Sequence, residues 1–235
     1  MSKTLIYQDY TYNNGSLFKT LSKNTHAKHI EYADASDILK GCLKKGVQAF
    51  IMPGGASRYA AAKLNGAGNK AILDYVSGGG TYIGICAGAY YAARAIEWKK
   101  GQKDEILVEN ELSLYLGLAS GPVRPFKPAD IVPIDYAGKT VNVFYWGGPV
   151  FEETISAQVL ARYTSLPDQP PAIVAGQYGE GRYLLISPHL EFDSAQLELL
   201  RFDVADNRHA EIAAMPSTAG LSTDLFHDLM DQFLV

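Results

Sequence analysis

Short runs of apolar, β-branched and aromatic residues recur through the first half of the chain and end in polar or glycine-rich turns. Such runs are typical of β-strands. The run at Val47–Met52 is largely apolar without alternation, as in a strand that is buried on both faces of a sheet. The pattern predicts strands at Thr4–Gln8, His29–Tyr32, Val47–Met52 and Thr81–Ile85.

Stretches with apolar residues at helical spacing lie between these runs. The first begins after Asp34 or Ser36, either of which can cap a helix, and closes at Gly46. Two more cover Asn69–Val76 and Ala87–Ile96. Strands that alternate with helices in this way predict an α/β fold with a mostly parallel central sheet and helices on both faces.

The second half of the chain is richer in strand patterns. Thr140–Tyr145 predicts a strand, and Ala172–Gln177 and Tyr183–Ser187 predict a hairpin around a glycine-containing turn. Two helices are expected to close the chain, one from about Ser194 and one from about Thr223.

No internal repeat, low-complexity tract or Ser/Gly linker interrupts the sequence. The proline-containing stretch Pro122–Pro133 predicts an irregular surface segment and not a boundary. Residues 1–235 are therefore predicted to form a single domain.

Composition narrows the class of protein. With 235 residues, 47% hydrophobic content and a formal net charge of -4, the chain can build a sizeable core and offers no electrostatic attraction for nucleic acid. No stretch approaches the roughly 20 apolar residues that cross a bilayer. The N-terminus also lacks the apolar core of a signal peptide, so a cytoplasmic location is expected. Together these features predict neither a membrane partner nor a nucleic-acid partner.

The two cysteines, Cys42 and Cys86, cannot form a disulfide framework, and neither has metal-ligand spacing. We therefore expect no metal and no cofactor. Cys42 lies on the apolar side of a predicted helix and is expected to be a core residue.

The strongest chemical signal is Gly84-Ile85-Cys86-Ala87-Gly88, placed at a predicted strand-to-helix junction. A nucleophile at such a junction sits on a tight turn above the sheet edge, and the glycines let the strand and the helix approach closely. The helix N-terminus carries partial positive charge, which favours a thiolate. Cys86 is the candidate nucleophile, and the alternative is a buried structural cysteine.

A thiol nucleophile needs a base and a group that orients the base. His189 follows a predicted strand, at the sheet edge where sites collect in open α/β folds. Glu191, two residues further on, can accept a hydrogen bond from the imidazole and fix its tautomer. A His-x-Glu pair alone is more often a surface coincidence, so the prediction depends on its combination with Cys86.

Acyl transfer also needs donors for a developing oxyanion. The turn around Cys86, from Gly84 to Gly88, is called the elbow, and it supplies the backbone N–H of Ala87. The turn after Val47–Met52 contains Gly54 and Gly55, whose N–H groups can face the nucleophile without a Cβ in the way. We predict Gly55 as the second donor and Gly54 as the next choice, while an ordinary strand-to-helix turn is the alternative.

Further candidates for substrate binding follow predicted strands or flank these motifs. Their structural alternatives are an ordinary glycine turn, a packed aromatic ring, a surface carboxylate and an exposed arginine. The candidates are Tyr90, Tyr145, Gly147, Gly148, Asp9 and Arg58.

The glycine turn, the cysteine elbow, a glycine-arginine hairpin and the His-x-Glu pair occur in the order found in class I glutamine amidotransferases, and the chain resembles that superfamily. The resemblance implies a flavodoxin-like fold. More narrowly, the chain is similar to the amidotransferase-like domain at the N-terminus of biotin–protein ligases, in its stand-alone bacterial form. The similarity covers about residues 4–200. It depends on Pro53-Gly54-Gly55-Ala56, on Gly84-Ile85-Cys86-Ala87-Gly88-Ala89-Tyr90-Tyr91 and on Tyr145-Trp146-Gly147-Gly148-Pro149.

By this likeness Cys86, His189 and Glu191 form a triad, and Gly55 and Ala87 are the oxyanion donors. Two positions depart from the usual pattern of glutamine-hydrolysing members. Tyr90 replaces a Gln that helps to hold the substrate, and Leu190 replaces the Pro of His-Pro-Glu. The elbow also resembles the Gly-x-Ser-Ala-Gly-Ala elbow of peptidase E and cyanophycinase relatives, with Cys in place of Ser.

The favoured hypothesis is a Cys-His-Glu hydrolase or amidase that acts on a small carboxamide through a thioester. Its partners would be a small-molecule substrate and an unidentified acceptor or partner protein. Three alternatives stay open: a non-catalytic ligand-binding or regulatory module on the same fold, a redox-sensing cysteine, and a hydrolase similar to peptidase E or cyanophycinase.

Overall fold

The computed structural model describes the whole chain except residues 1, 13, 45, 199, 201–207, 214, 216, 217, 219 and 235. Its strands are, in chain order, β1 (Lys3–Tyr7), β2 (Ile30–Ala33), β3 (Val47–Met52), β4 (Thr81–Ile85), β5 (Ala93–Trp98), β6 (Ile106–Glu109), β7 (Tyr115–Gly121), β8 (Asp130–Tyr136), β9 (Lys139–Tyr145), β10 (Val150–Phe151), β11 (Ala157–Tyr163), β12 (Pro171–Tyr178) and β13 (Gly181–Ile186). Its helices are α1 (Asn14–Leu21), α2 (Ala35–Leu39), α3 (Ser57–Leu64), α4 (Ala67–Ser77), α5 (Ala87–Ala92), α6 (Ser194–Glu198), α7 (Arg208–Ala213) and α8 (Asp224–Phe233).

The larger sheet has nine strands in the order β2-β1-β3-β4-β13-β12-β11-β8-β9. The first five run parallel, as the pairings β1–β2, β1–β3, β3–β4 and β4–β13 show. From β13 onward the pairings are antiparallel. The flavodoxin-like α/β class is thereby confirmed, and its parallel half carries the predicted elbow at the end of β4.

Alternate residues of the central strands face two separate cores. In β3, Phe50 and Met52 pack with α2 and α4 on one side, whereas Ile51 packs with α1 and α8 on the other. All three side chains are essentially inaccessible to solvent. Because both faces of the parallel strands are covered by helices, these strands carry apolar residues at successive positions.

A smaller sheet in the order β10-β7-β5-β6 was not predicted from the sequence. Its strand β5 corrects the prediction of a helix over Ala87–Ile96, because α5 ends at Ala92 and Ala93 is already extended, with φ -74° and ψ 149°. Residues Ala93–Trp98 pair with β6 and β7, and this tertiary pairing overrides a helical apolar spacing. The irregular segment predicted over Pro122–Pro133 ends earlier, since β8 begins at Asp130.

Two glycines permit the tight junction of β4 and α5. A Cβ on Gly84 would lie 2.6 Å from the carbonyl oxygen of Gly88, closer than non-bonded atoms approach. A Cβ on Gly88 would overlap the carbonyl group of Met52 at the end of β3. The backbones of two strands and one helix therefore touch at this point, which fixes where the residue between the glycines must lie.

No helix in the described part of the chain is long and apolar enough to cross a membrane.

We predict that Gly84→Ala destabilises the fold by about 3 kcal/mol, because the new methyl group must displace backbone and not a flexible side chain. Urea denaturation measures the change in the free energy of unfolding. The matched control is Gly15→Ala, at an exposed helical position where a Cβ meets nothing within 4 Å, and it should change stability by less than about 1 kcal/mol. Equal effects of the two substitutions would contradict the proposed tight junction.

Candidate active site

Cys86 occupies a strained turn between β4 and α5. Its backbone has φ 50° and ψ -103°, a conformation that residues other than glycine rarely adopt and that costs on the order of 1–3 kcal/mol. The turn is held by three backbone hydrogen bonds: the N–H of Cys86 donates to the carbonyl of Ile186 at 2.8 Å, and its own carbonyl accepts from the N–H groups of Ala89 at 3.0 Å and Tyr90 at 3.1 Å. Cys86 is 8% exposed. Such strain at one polar side chain is typical of a functional position.

His189 lies beside this turn because β13 is the parallel neighbour of β4. The N–H of His189 donates to the carbonyl of Phe144 at 2.8 Å, so the last residues of β9 also anchor it. Its Nδ1 lies 2.8 Å from Oε1 of Glu191, and both side chains are more than nine-tenths buried. The imidazole therefore has a fixed orientation, with the Nδ1 side turned to the carboxylate.

The imidazole also forms a hydrogen bond with the side chain of Cys86. Burial alone would lower the pKa of His189, but the charges of Glu191 and Cys86 and the hydrogen bonds to both raise it from 6.5 to about 10. The three side chains thus form a continuous Cys86–His189–Glu191 chain in a dry environment. An imidazolium in this position stabilises a negative charge on the neighbouring sulfur.

Three aromatic rings surround the imidazole of His189. The ring centroids of Phe144, Trp146 and Phe192 lie 5.8, 5.9 and 5.8 Å from that of His189. Aromatic rings at this distance exclude water and attract a cation through their quadrupoles. Sequence reasoning named none of these rings as part of the site, although Trp146 lies inside a motif that carried the family resemblance.

The turn that follows β9 directs three successive carbonyl groups inward. The oxygen of Trp146 accepts from the Cys86 Sγ at 3.4 Å, that of Gly147 accepts from the Tyr90 hydroxyl at 3.2 Å, and that of Gly148 accepts from the Tyr145 hydroxyl at 3.0 Å. Tyr90 and Tyr145 are buried, and burial raises the pKa of both hydroxyls. The hydroxyl groups of these two predicted substrate-binding residues donate hydrogen bonds to the turn and hold it in place.

Gly54 and Gly55 lie on the other side of the elbow, at the end of β3. A Cβ on Gly54 would be 2.6 Å from Cε1 of His189, so this glycine leaves room for the imidazole. Gly55 forms a bridge with Thr11 in which the N–H groups of Tyr12 and Ala56 donate, so the bridge leaves the N–H of Gly55 unused. As the first helical residue of α5, Ala87 has an N–H without an acceptor inside the helix. Gly55 and Ala87 line the same small cavity, and their role as oxyanion donors stays a prediction.

The remaining predicted residues, Asp9 and Arg58, have different surroundings. Asp9 lines a small cavity of about 10 Å³, together with Gly55 and Ala87. Its carboxylate accepts from the Ala35 N–H at 3.0 Å and pairs with Lys63 at 3.0 Å; burial alone would raise its pKa, but these bonds hold the pKa below 3.8. Arg58 is exposed and its guanidinium lies over the ring of Tyr59. A binding role of either residue stays a prediction.

Within the described residues, no group of three or more His, Cys, Asp or Glu side chains could hold a metal ion.

Comparison with known proteins shows the family to which the chain belongs. The family model described as "Biotin-protein ligase, N terminal" matches residues 2–233. The chain belongs to this family. The biotin-protein ligase N-terminal family thus covers nearly all of the sequence, including the elbow, the glycine turn and the His-x-Glu pair.

Two relatives match this chain over most of its length. A Chlamydia muridarum (strain MoPn / Nigg) protein described as uncharacterized is 30% identical over 187 residues, 74% of this chain and 71% of the relative. The biotin–protein ligase of Schizosaccharomyces pombe (strain 972 / ATCC 24843) is 25% identical over 181 residues, 70% of this chain. The match spans only 29% of that ligase.

Two solved structures share the fold of this chain over most of their length. A structure described as a glutamine amidotransferase aligns with a TM-score of 0.59 at 18% identity and covers 80% of this chain and 90% of its own. The PurLQS structure from Thermotoga maritima aligns with a TM-score of 0.58 at 15% identity and covers 81% and 88%. At these identities the likeness shows the class I glutamine amidotransferase-like fold.

We predict a defined pH dependence of stability from His189. Because its folded-state pKa is raised above 6.5, its stabilising contribution is complete below pH 6.5 and is lost as the pH rises through about 10. The difference in unfolding free energy between the wild type and His189→Gln should therefore shrink across this window, by at most about 1.4 kcal/mol per pH unit. Urea denaturation at a series of pH values measures it, and a constant difference would contradict the raised pKa.

Proposed function

We propose that this protein is an amidohydrolase that cleaves a small carboxamide with Cys86 as the nucleophile. The observation that carries the proposal is the buried Cys86–His189–Glu191 chain at a strained strand-to-helix turn. Structural buried cysteines need neither positive φ nor an oriented imidazole. A thiol next to an imidazolium in a dry site has the arrangement of an activated nucleophile.

The first half-reaction forms a thioester. The sulfur electron pair forms a bond with the carboxamide carbon while the carbonyl π pair moves to oxygen, and the imidazolium of His189 holds its proton on Nε2 until the leaving group needs it. The N–H groups of Gly55 and Ala87 stabilise that oxyanion. When the carbonyl re-forms, the C–N bond breaks, and the leaving nitrogen takes the proton from His189.

The second half-reaction restores the enzyme. His189 takes a proton from water, the water oxygen bonds to the thioester carbon, and the S–C bond breaks as the acid product forms. The sulfur is released with its electron pair beside the imidazolium of His189, which holds the proton on Nε2. Glu191 keeps the imidazole oriented throughout and stabilises its charged form, as in other nucleophile–His–carboxylate sites.

The class of substrate follows from the size and surroundings of the site. Cys86 and His189 are both buried, and Tyr90 occupies the position where glutamine-hydrolysing relatives usually carry Gln. Its hydroxyl donates a hydrogen bond to the carbonyl oxygen of Gly147 and is not available to a substrate. These features favour a compact acyl donor over a peptide chain, and they leave no role for Tyr90 like that of the usual Gln.

A non-catalytic ligand-binding module is the second candidate. It is favoured by the burial of the two reacting side chains, since Cys86 is 8% exposed and His189 6% exposed. A module of this kind would keep the fold and the cavity without an activated thiol. The reactivity of Cys86 distinguishes the two.

We predict that Cys86 reacts with iodoacetamide at pH 7 at least about tenfold faster than Cys42, because the imidazolium of His189 stabilises its thiolate. Cys42 is the internal control: it is half-buried, and burial and the nearby Asp37 raise the pKa of its thiol. Peptide mass mapping over time gives both rates in one sample.

The variants His189→Gln and Glu191→Gln should slow the labelling of Cys86 and leave that of Cys42 unchanged. If Cys86 reacted no faster than Cys42 in the wild-type protein, the nucleophile role would be refuted and the non-catalytic module would be favoured.

A further inference from the structure

A backbone acceptor is aimed at the candidate nucleophile. The carbonyl oxygen of Trp146 lies 3.4 Å from the Sγ of Cys86 and accepts its hydrogen bond. An acyl donor that reacts with this sulfur must bring its carbonyl carbon, and the two atoms bonded to that carbon, into the same small volume. The Trp146 oxygen is a hydrogen-bond acceptor next to that volume.

Several contacts fix the position of this carbonyl. The residue two before Trp146, Phe144, is bonded to the His189 backbone at 2.8 Å. On the other side, Tyr90 and Tyr145 hold the next two carbonyl groups. A Cβ on Gly148 would overlap the carbonyl of Ser187, so the turn is packed directly against the end of β13. The Trp146 oxygen is thus a preorganised group and does not belong to a loose loop.

The Trp146 acceptor and the proposed donor Gly55 are connected to the two different strands that flank β4. In the sheet order β3-β4-β13, Cys86 follows the middle strand. Gly55 comes from the β3 side, whereas Trp146 is attached to the β13 side through the bridge between Phe144 and His189. A carboxamide has the complementary pattern, an oxygen that accepts and a nitrogen that donates.

We propose that the carbonyl of Trp146 receives an N–H of the scissile carboxamide and so selects amides with at least one N–H over esters and tertiary amides. The inference depends on the proposed function and names what distinguishes its substrate. In the tetrahedral intermediate the leaving nitrogen has one lone pair. An N–H bonded to Trp146 turns that lone pair toward Nε2 of His189, which protonates it as the C–N bond breaks. Trp146 is a positioning residue through its backbone.

The oxygen of an ester in the same place would meet the Trp146 carbonyl with lone pair against lone pair. The repulsion replaces a hydrogen bond, and a hydrogen bond of this kind corresponds to about a tenfold change in rate. The selectivity is therefore measurable with reagents that differ only in this atom.

The experiment compares 2-iodo-N-methylacetamide with methyl iodoacetate, which have the same shape and differ by N–H against O. The rate ratio at Cys86 in the whole protein, measured by mass mapping at pH 7, is divided by the ratio for glutathione, which removes the difference in intrinsic reactivity. We expect the amide to be enriched about tenfold at Cys86 and not at Cys42. A normalised ratio near one, with Cys86 still far more reactive than Cys42, overturns this inference and leaves the nucleophile role standing. If Cys86 is no faster than Cys42 with either reagent, the proposed function itself fails.

A substitution locates the acceptor. Gly147 has φ +73°, and a Cβ there would make only an ordinary contact, 3.4 Å from Trp98. Gly147→Ala therefore strains the peptide that carries the Trp146 oxygen without a steric clash. We expect its amide enrichment to fall toward that of glutathione.

The matched control is Gly138→Ala, at φ +77° in a distant turn where a Cβ meets nothing within 4 Å, and it should keep the full enrichment. If circular dichroism shows that Gly147→Ala does not fold, Tyr90→Phe replaces it, since it removes the hydroxyl that holds the Gly147 carbonyl. Unchanged enrichment in the folded variant would place the acceptor elsewhere and overturn the assignment to Trp146.

Discussion

Gly84 and Gly88 bring the backbones of β4, α5 and β3 into contact, and the residue between them, Cys86, is forced to positive φ. Close packing of three backbone segments leaves little freedom for a side chain that starts at their meeting point. The sulfur is therefore aimed by main-chain geometry, before any side chain assists it. His189 on the adjacent strand and the glycine turn after β3 are positioned relative to that same contact.

The sheet converts sequence distance into spatial proximity. About a hundred residues separate Cys86 from His189 along the chain, yet β4 and β13 are hydrogen-bonded neighbours in parallel register. Their carboxyl ends consequently meet at one edge, as expected of open α/β sheets. The antiparallel half of the sheet then returns β9 to the same place, where Phe144 pairs with His189. Strand pairing therefore brings the charged side chains, the aromatic rings and the backbone carbonyl groups to the same place in the fold.

Sequence patterns predicted the strands correctly where the order of residues along the chain and their burial indicated the same structure. Val47–Met52 and Thr81–Ile85 form strands with the predicted bounds, and Asp34 caps α2 with a reciprocal bond from Asp37, although α2 ends at Leu39 and not at the predicted Gly46. The glycine-flanked Cys86 and the His-x-Glu pair carry enough local pattern to be found from the chain, and the fold brings them together. Patterns failed where pairing between distant segments decided the outcome, as at Ala93–Trp98. Phe144 and Trp146 were missed for the same reason, since their contacts with His189 come from a bridge that no local spacing records.

The helix that begins at Cys86 lasts only six residues before the chain enters the smaller sheet. That sheet supplies Trp98, whose ring meets that of Tyr90 edge-on at 5.6 Å, and Gly121, which leaves space for the Tyr90 hydroxyl. The packing around Tyr90 is thus built partly from the smaller sheet, whereas the turn at Cys86 is built from the parallel strands. A substitution in the smaller sheet can therefore change the contacts of Tyr90 without entering the junction of β4 and α5.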